Sequence, residues 1–493
     1  MPFRKKQQHR ALFGTKQQRR NKGKWRWIFF LLLLTTVCVA IYHVNKPLPA
    51  GVNFTAPQRT ATNVQFLADR TFTVDGERQT QQQIFNTVFE MIANARHIVL
   101  VDMFLFNDYL GKGSEQHRPL SDELSNALIA QKKRYPDLQI HVISDPINSL
   151  YGGLPSKHFA ELKAAGIPVT QTDLTQLRDS NPAYSGFWRL LIQPFGNSEG
   201  GWLPNPFGEG QVSVRSYLNL LNFKANHRKL LIADNGTELT ALVTSANPHD
   251  GSSAHGNVAL RFNGPAAWDL LESEKAMLAL SGKALAEVAL PQKAENTDSN
   301  LSVQVVTENA VEQAALAMIN QAKSGDKLDM SMFYLSDRDI VEALKSAQTR
   351  GVVLRVLLDP NKDAFGRQKN GIPNRPVAHE LTQAGITVRW CDTHGEQCHA
   401  KWLMHRGTGE TTMLLGSTNF TRRNLHNLNL ETSVIVKGPA NAAPFRRGQS
   451  WFDESWYNLY GRHYSVDYER YADERRWPQL LYRTMEATGL STF

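Results

Sequence analysis

The sequence predicts an α/β protein of two similar lobes behind an N-terminal transmembrane helix, and three observations lead there. The chain has 493 residues, 41% of them hydrophobic and 20% charged, more than a single core organises, since such cores stop growing near roughly 250–300 residues. Apolar strand-like runs alternate with helix-like runs, which argues for βαβ units and mostly parallel sheets flanked by helices. The same order of features then occurs twice. This composition excludes a disordered tail, a collagen-like chain and a small disulfide scaffold.

The formal charge of +9 is concentrated at one end. Residues 1–26 hold ten Lys and Arg and no Asp or Glu, and the remainder carries 45 basic against 46 acidic residues. A near-neutral remainder gives no support to a broad nucleic-acid footprint, so none is expected in the main reading. Residues 27–44, WIFFLLLLTTVCVAIYHV, contain no charged residue and are long enough to span a bilayer core of roughly 30 Å. The basic tail then stays in the cytoplasm and everything beyond residue 44 is exported, which in a bacterium means the periplasmic face of the inner membrane. A cleaved signal peptide is the competing reading, and the long charged lead favours an uncleaved anchor. Residues 45–60, with Pro47, Pro49 and Pro57, read as a linker.

The first lobe is placed at 61–290 and the second at 301–493, with the polar stretch 291–300 between them. In the first, a helix over 84–95 leads into a strand over 97–106; in the second, a helix over 311–322 leads into a strand over 327–335. Each copy continues through a helix to an apolar strand ending in Asp-Pro (Asp145-Pro146, Asp359-Pro360) and then to a short helix closed by Ala-Gly-Ile at Gly166 or Gly385.

Each copy next reaches the residues that carry chemistry. The first reads NHRKLLIAD and then TSAN, with His227, Lys229, Asp234, Ser245 and Asn247; the second reads CHAKWLMHR and then GSTN, with His399, Lys401, Ser417 and Asn419. His to Lys is 2 residues and His to Asn is 20 residues in both. Residues i and i+2 of a strand share a face, so His and Lys emerge together, and Ser-x-Asn after the next strand reaches the same sheet edge. Two such sets give two imidazoles, two ammonium groups and two carboxamides around one pocket, complete within one chain. Lysines and amides can hold the non-bridging oxygens of a phosphodiester without metal or cofactor. One imidazole can attack phosphorus to form a phosphohistidine, while the other protonates the leaving alkoxide and later activates an alcohol or water.

These duplicated motifs resemble the HxKxxxxD and GSxN signatures of the phospholipase D superfamily, over roughly residues 65–456. HRKLLIAD matches fully; the second copy has Arg406 where the superfamily has Asp, and the first has Thr244 for the Gly of GSxN. The resemblance implies that Asp234 supports its strand, and that Glu431, 32 residues after His399, partners His227 from the other lobe. His227 would then be the nucleophile and His399 the acid and base. It further implies a phosphatidyl transferase or phosphodiesterase of cardiolipin synthase or phospholipase D type, acting on phospholipid at the membrane with alcohol or water as acceptor. An exported nuclease or phosphodiesterase of the same superfamily is the alternative, and a non-catalytic lipid-binding protein a third reading.

Three further features stand out. Gly166 to His227 is 61 residues but Gly385 to His399 only 14. The first lobe therefore carries an insertion, and it is rich in aromatics (Tyr184, Phe187, Trp188, Phe195, Trp202, Phe207, Tyr217) that suit either a membrane interface or a packed loop. The loop over 359–381 offers Lys362, Arg367, Lys369 and Arg375 for head-group or acceptor recognition, or to solvent. Cys391 and Cys398, just before His399, are expected to form a disulfide in an exported domain; a metal site with His394 and His405 matches no standard zinc spacing.

Overall fold

The computed structural model describes residues 3–110, 117–287, 290, 299–364, 367–491 and 493, with the backbone alone for 3–22, 364 and 367. The expected boundary at 291–300 falls largely outside the described residues, as do residues 1 and 2 of the basic tail. Helix Phe3–Asn45 contains, at Gly23–Asn45, the one segment among the described residues long and apolar enough to cross a membrane, with mean hydropathy 2.2.

Two large sheets follow. The first runs, in spatial order, Glu77–Gln81, Thr62–Val74, Asn257–Asn263, Leu239–Thr244, Lys229–Asp234, Ile98–Met103, Gln139–Ser144 and Val169–Gln171. The second runs Arg59–Thr60, Ser302–Thr307, Thr432–Gly438, Thr411–Gly416, Lys401–Arg406, Lys327–Met332, Val353–Leu358, Thr387–Cys391 and Ser465–Asp467. Both are mixed rather than mostly parallel, which corrects the expectation. Only the three strands joined by crossover helices are parallel in each. From Lys229 and Lys401 onward the next strand follows after a short turn, and a short turn can join only antiparallel neighbours.

The sheets face each other across a shared core. Leu230, Ile232, Val243 and Leu260 of the first pack in one cluster with Trp402, Met404, Met413 and Val434 of the second. Two helices cross between the lobes: Pro265–Leu280 packs on Ser302–Thr307, and Ala443–Tyr457 on Thr62–Val74. The aromatic run in the latter helix supplies Trp451 against Phe66, ring centres 5.7 Å apart, and Phe452 stacked on Trp402 at 5.2 Å.

The expected linker is also part of this body. Val52 and Ala56 are buried, Ala56 N–H donates to the Val305 carbonyl at 2.9 Å, and Arg59–Thr60 extends the edge of the second sheet. An edge strand needs only alternate N–H groups, so Pro57 is tolerated between the Thr55 bridge and strand Arg59–Thr60. The N-terminal helix is therefore not tethered loosely. Asp179 N–H donates to the His43 carbonyl at 3.0 Å, and Arg178 Nε to the Lys46 carbonyl at 2.7 Å. The insertion helix Pro182–Leu191 lies along the end of helix Phe3–Asn45.

Trp402, fully buried, fills the space between the sheets. Trp402→Ala is expected to lower unfolding free energy by about 3–5 kcal/mol, read as a shift of the denaturant midpoint of the detergent-solubilised protein.

Candidate functional site

The two His-Lys sets meet at the lobe boundary, each just before or at the start of its strand. His227 N–H donates to the Leu430 carbonyl at 2.8 Å and His399 N–H to the Gly256 carbonyl at 2.7 Å, so each histidine is bonded through its backbone to the opposite lobe. The Asp-Pro carboxylates hold the residue before each histidine: Asn226 N–H donates to Asp145 Oδ2 at 2.7 Å and Cys398 N–H to Asp359 Oδ2 at 2.8 Å. Burial pushes Asp145 up to about 7 and Asp359 up to about 6. Neither role was foreseen from the sequence, although both Asp-Pro pairs stood out in it.

The imidazoles have different partners. His227 Nδ1 lies 2.8 Å from Glu431 Oε1. Glu431 is fully buried, and although burial alone would raise it, His227 and Lys229 bring it below the usual carboxylate range. It also accepts from Ser417 Oγ and Asn424 Nδ2, and its N–H donates to Glu308 Oε1 at 3.0 Å. His399 Nδ1 lies 3.0 Å from Asn257 Oδ1, which accepts from Ser245 Oγ at 2.9 Å. Both acceptors require a proton on Nδ1, which leaves each Nε2 with its lone pair. Burial pushes His227 down to about 4 against the pull of Glu431, and drives His399 well down too, helped by Lys401.

Asn257 is thus the first lobe's counterpart of Glu431, and sequence reasoning missed it because its partner lies in the other copy. The available signal was the Ser that each bonds, Ser245 or Ser417. Phe104 and Phe333 were missed as well. Each stands one residue after a central strand, in the Met-Phe pair common to both copies. Phe104 lies 4.9 Å from the His227 ring and 5.0 Å from Lys229 Nζ; Phe333 lies 4.9 Å from the His399 ring and 5.0 Å from Lys401 Nζ.

Lys229 Nζ donates to the His227 carbonyl at 2.6 Å and Lys401 Nζ to the His399 carbonyl at 2.7 Å. Burial lowers Lys229 to about 7 and takes Lys401 well down, and the two ammonium groups oppose each other. Asn247 and Asn419, each 18 residues after its lysine, are both buried. Asn247 Oδ1 accepts from Leu105 N–H at 3.2 Å, while Asn419 Oδ1 has no hydrogen-bond partner among the described residues. This is a buried cradle of donors and latent positive charge, suited to a tetrahedral anion.

Asp234 lies at the far end of its strand, where it accepts from the N–H groups of Arg96, His97 and Ile98 at 3.1, 2.8 and 2.8 Å. The second lobe replaces it by another bond between the same two strands: Arg406 pairs with Asp329, which also accepts from Arg355. Cys391 and Cys398 form a disulfide closing the turn before His399, and His405 pairs with Asp326 at 2.9 Å. From the 359–381 loop, Lys369 Nζ reaches Tyr334 Oη and lies 5.8 Å from the Phe333 ring centre. Residues 365 and 366 are outside the described residues, as is the Arg367 side chain.

Residues 315–456 match the family model described as "Cardiolipin synthase, PLD-like domain", so this part of the chain is similar to that domain. No curated protein matches the chain in sequence. Among solved structures, phosphatidylserine synthase from Haemophilus influenzae aligns over 92% of this chain and 98% of its own, at 13% identity and TM-score 0.52, a likeness of fold. A phospholipase D family member from Salmonella typhimurium aligns over 34% of this chain and 97% of its own, at 22% identity and TM-score 0.27.

With Lys229 at about 7, the cradle is charged below that pH and must gain a proton with its anion above it. Inorganic phosphate is therefore expected to bind with proton uptake and with affinity that falls as pH rises through 8. Titration calorimetry in buffers of different ionisation heat measures the uptake.

Proposed function

We propose that this chain is a membrane-anchored, exported phosphatidyl transferase or phosphodiesterase that works on phospholipid head groups through a covalent phosphohistidine. The observation that carries the reading is the facing pair of His-Lys-Asn sets, with one histidine backed by a carboxylate and the other by an amide. The two lobes of one chain, 61–290 and 301–493, supply the whole site.

Glu431 holds the His227 Nδ1 proton and stabilises positive charge on that ring, which makes His227 the nucleophile. Its Nε2 attacks phosphorus, and the bond from phosphorus to the leaving oxygen breaks. The leaving oxygen takes its proton from His399 Nε2, which is charged once the phosphate has entered and raised the cations around it. Lys229, Lys401, Asn247 and Asn419 bind the non-bridging oxygens and stabilise the added charge. In the second half, His399 removes a proton from the acceptor hydroxyl or water, the acceptor attacks phosphorus, and the P–N bond to His227 breaks. Asp234, Ser245 and Ser417 position these groups, and Lys369 recognises the head group or acceptor.

Three things support a membrane-anchored, exported enzyme acting on lipid. The matched family model is described by a lipid-synthesising activity. Helix Gly23–Asn45 has the length of an anchor, and the basic residues preceding it favour a cytoplasmic N-terminus. The Cys391–Cys398 disulfide belongs to an oxidising compartment.

Purified protein in detergent-mixed phosphatidylglycerol, with chelator present, is expected to turn over lipid. His227→Ala and His399→Ala should each lower the rate by roughly two to four orders of magnitude. Rapid denaturation of wild type at alkaline pH should trap an alkali-stable, acid-labile phosphoramidate on His227. Well-folded protein that leaves lipid intact but cleaves a generic phosphodiester through both histidines would move the assignment to an exported nuclease or phosphodiesterase.

A further inference from the structure

The aromatic insertion plays no part in the chemistry above, and its helix has an unusual surface. Helix Pro182–Leu191 turns Ser185, Trp188 and Arg189 inward, whereas Ala183, Phe187, Leu190 and Leu191, followed by Pro194 and Phe195, face outward. Phe187, Leu191 and Phe195 are 46%, 58% and 65% exposed. A helix on the surface of a globular protein presents polar residues on that face. Here the outward residues are apolar from one end to the other, in a patch that soluble proteins rarely leave uncovered.

The neighbour of this helix decides what covers it. It packs on the last turns of helix Phe3–Asn45, where Thr36, Val39, Ala40 and His43 recur at helical spacing and are half-buried, while residues 24–35 are exposed throughout. The approach is close: a Cβ on Gly186 would lie 2.1 Å from the Thr36 carbonyl oxygen, the kind of small-residue contact that lets helices in a bilayer touch. Residues 36–44 cover about 13.5 Å of helix at about 1.5 Å per residue. The whole uncharged segment 27–44 is about 27 Å long against a hydrocarbon core of roughly 30 Å. It has no length to spare, so those last turns cannot be lifted into water, and the medium around residues 36–44 also surrounds Phe187 and Leu191.

We propose that helix Pro182–Leu191 is embedded beside the anchor in the exported-side leaflet, as a second, non-spanning membrane contact whose apolar face meets the lipid acyl chains. The proposal rests on the membrane-anchored lipid reading and adds to it where the site stands. Arg189, the one charge on the helix, points away from the apolar face and pairs with buried Asp179 at 2.7 Å; Lys224 Nζ donates to the same carboxylate at 2.8 Å. Ser180 Oγ donates to the Asn222 carbonyl at 2.6 Å and Asn181 Nδ2 to the Leu221 carbonyl at 3.0 Å. Lys224 stands three residues before His227. The embedded helix is thus fastened to the segment that leads into the His227 strand, which holds the pocket at the level of the head groups and lets lipid enter sideways from the leaflet.

The test uses full-length protein in liposomes, with Cys38→Ser as background and the native disulfide kept. Single cysteines at Leu34→Cys, Phe187→Cys, Leu191→Cys and Glu161→Cys carry a nitrobenzoxadiazole probe, and the quencher is a nitroxide on the lipid acyl chain. Probes at 187 and 191 are expected to lose as much emission as the probe at 34 in the anchor, and several-fold more than the probe at 161 on the exposed face of helix Lys157–Ala164. Quenching at 34 with 187 and 191 no more quenched than 161 overturns the embedded helix and leaves the anchor standing. An unquenched probe at 34 removes the anchor reading and this inference with it.

Discussion

The His227 N–H bonded to the Leu430 carbonyl, and the His399 N–H to the Gly256 carbonyl, tie each reactive ring to the backbone of the opposite lobe. The residue after each acceptor, Glu431 or Asn257, is the one that grips the ring of the same histidine. Backbone and side chain therefore come from consecutive residues, and a slip of one residue between the lobes would turn both partners away from both rings. The shared core, the two crossing helices and the edge strand Arg59–Thr60 all serve to hold this register. Each fixes where the other lobe stands.

Burial around this boundary sets the electrostatics. Arg228 lies between the two reactive residues of its strand but points to the other side of it, fully enclosed, where it bonds Glu274 at 2.9 Å and Glu308 at 2.8 Å. Glu308 in turn holds the backbone N–H of Glu431, so a charge cluster with no access to solvent fixes the group behind His227. A paired cluster of this kind is costly to break and adds less to stability than to geometry. On the pocket side the balance is reversed. Among the described residues, the Lys229 and Lys401 ammonium groups bond carbonyl oxygens and no carboxylate, and both lysines are lowered by burial. The site is short of one anion, which the phosphodiester of the proposed reaction would supply.

Much of this was legible in the sequence because it obeys local periodicity. His-x-Lys and the 20-residue step to Asn are distances along two adjacent strands, and their repetition marks two equivalent sheets. What depends on the other lobe was not legible. Asn257 gains its meaning only from His399, 142 positions away, and Glu431 entered through resemblance to known enzymes. The sheets were read as mostly parallel because the helical crossovers dominate the first half of each copy, whereas the hairpins after Lys229 and Lys401 leave weaker marks. The prolines at 47, 49 and 57 signal a break in helix, and a sheet edge satisfies that signal as well as a spacer does. Arg406 stood out as a missing Asp, but its compensation by Asp329 and Arg355 spans 77 positions of chain.

The unequal partners of the two rings make the site chemically handed. In the proposed mechanism, with only His227 backed by a carboxylate, phosphorus is approached first from the His227 side and then, in the second half, from the His399 side. Two in-line displacements each invert the phosphorus centre, so its configuration is retained overall. It follows that the departing alcohol and the incoming acceptor occupy one and the same berth, beside His399, Phe333 and Lys369. They must use it in turn, and a poor leaving alcohol that lingers there is also a competitor of the acceptor that should replace it.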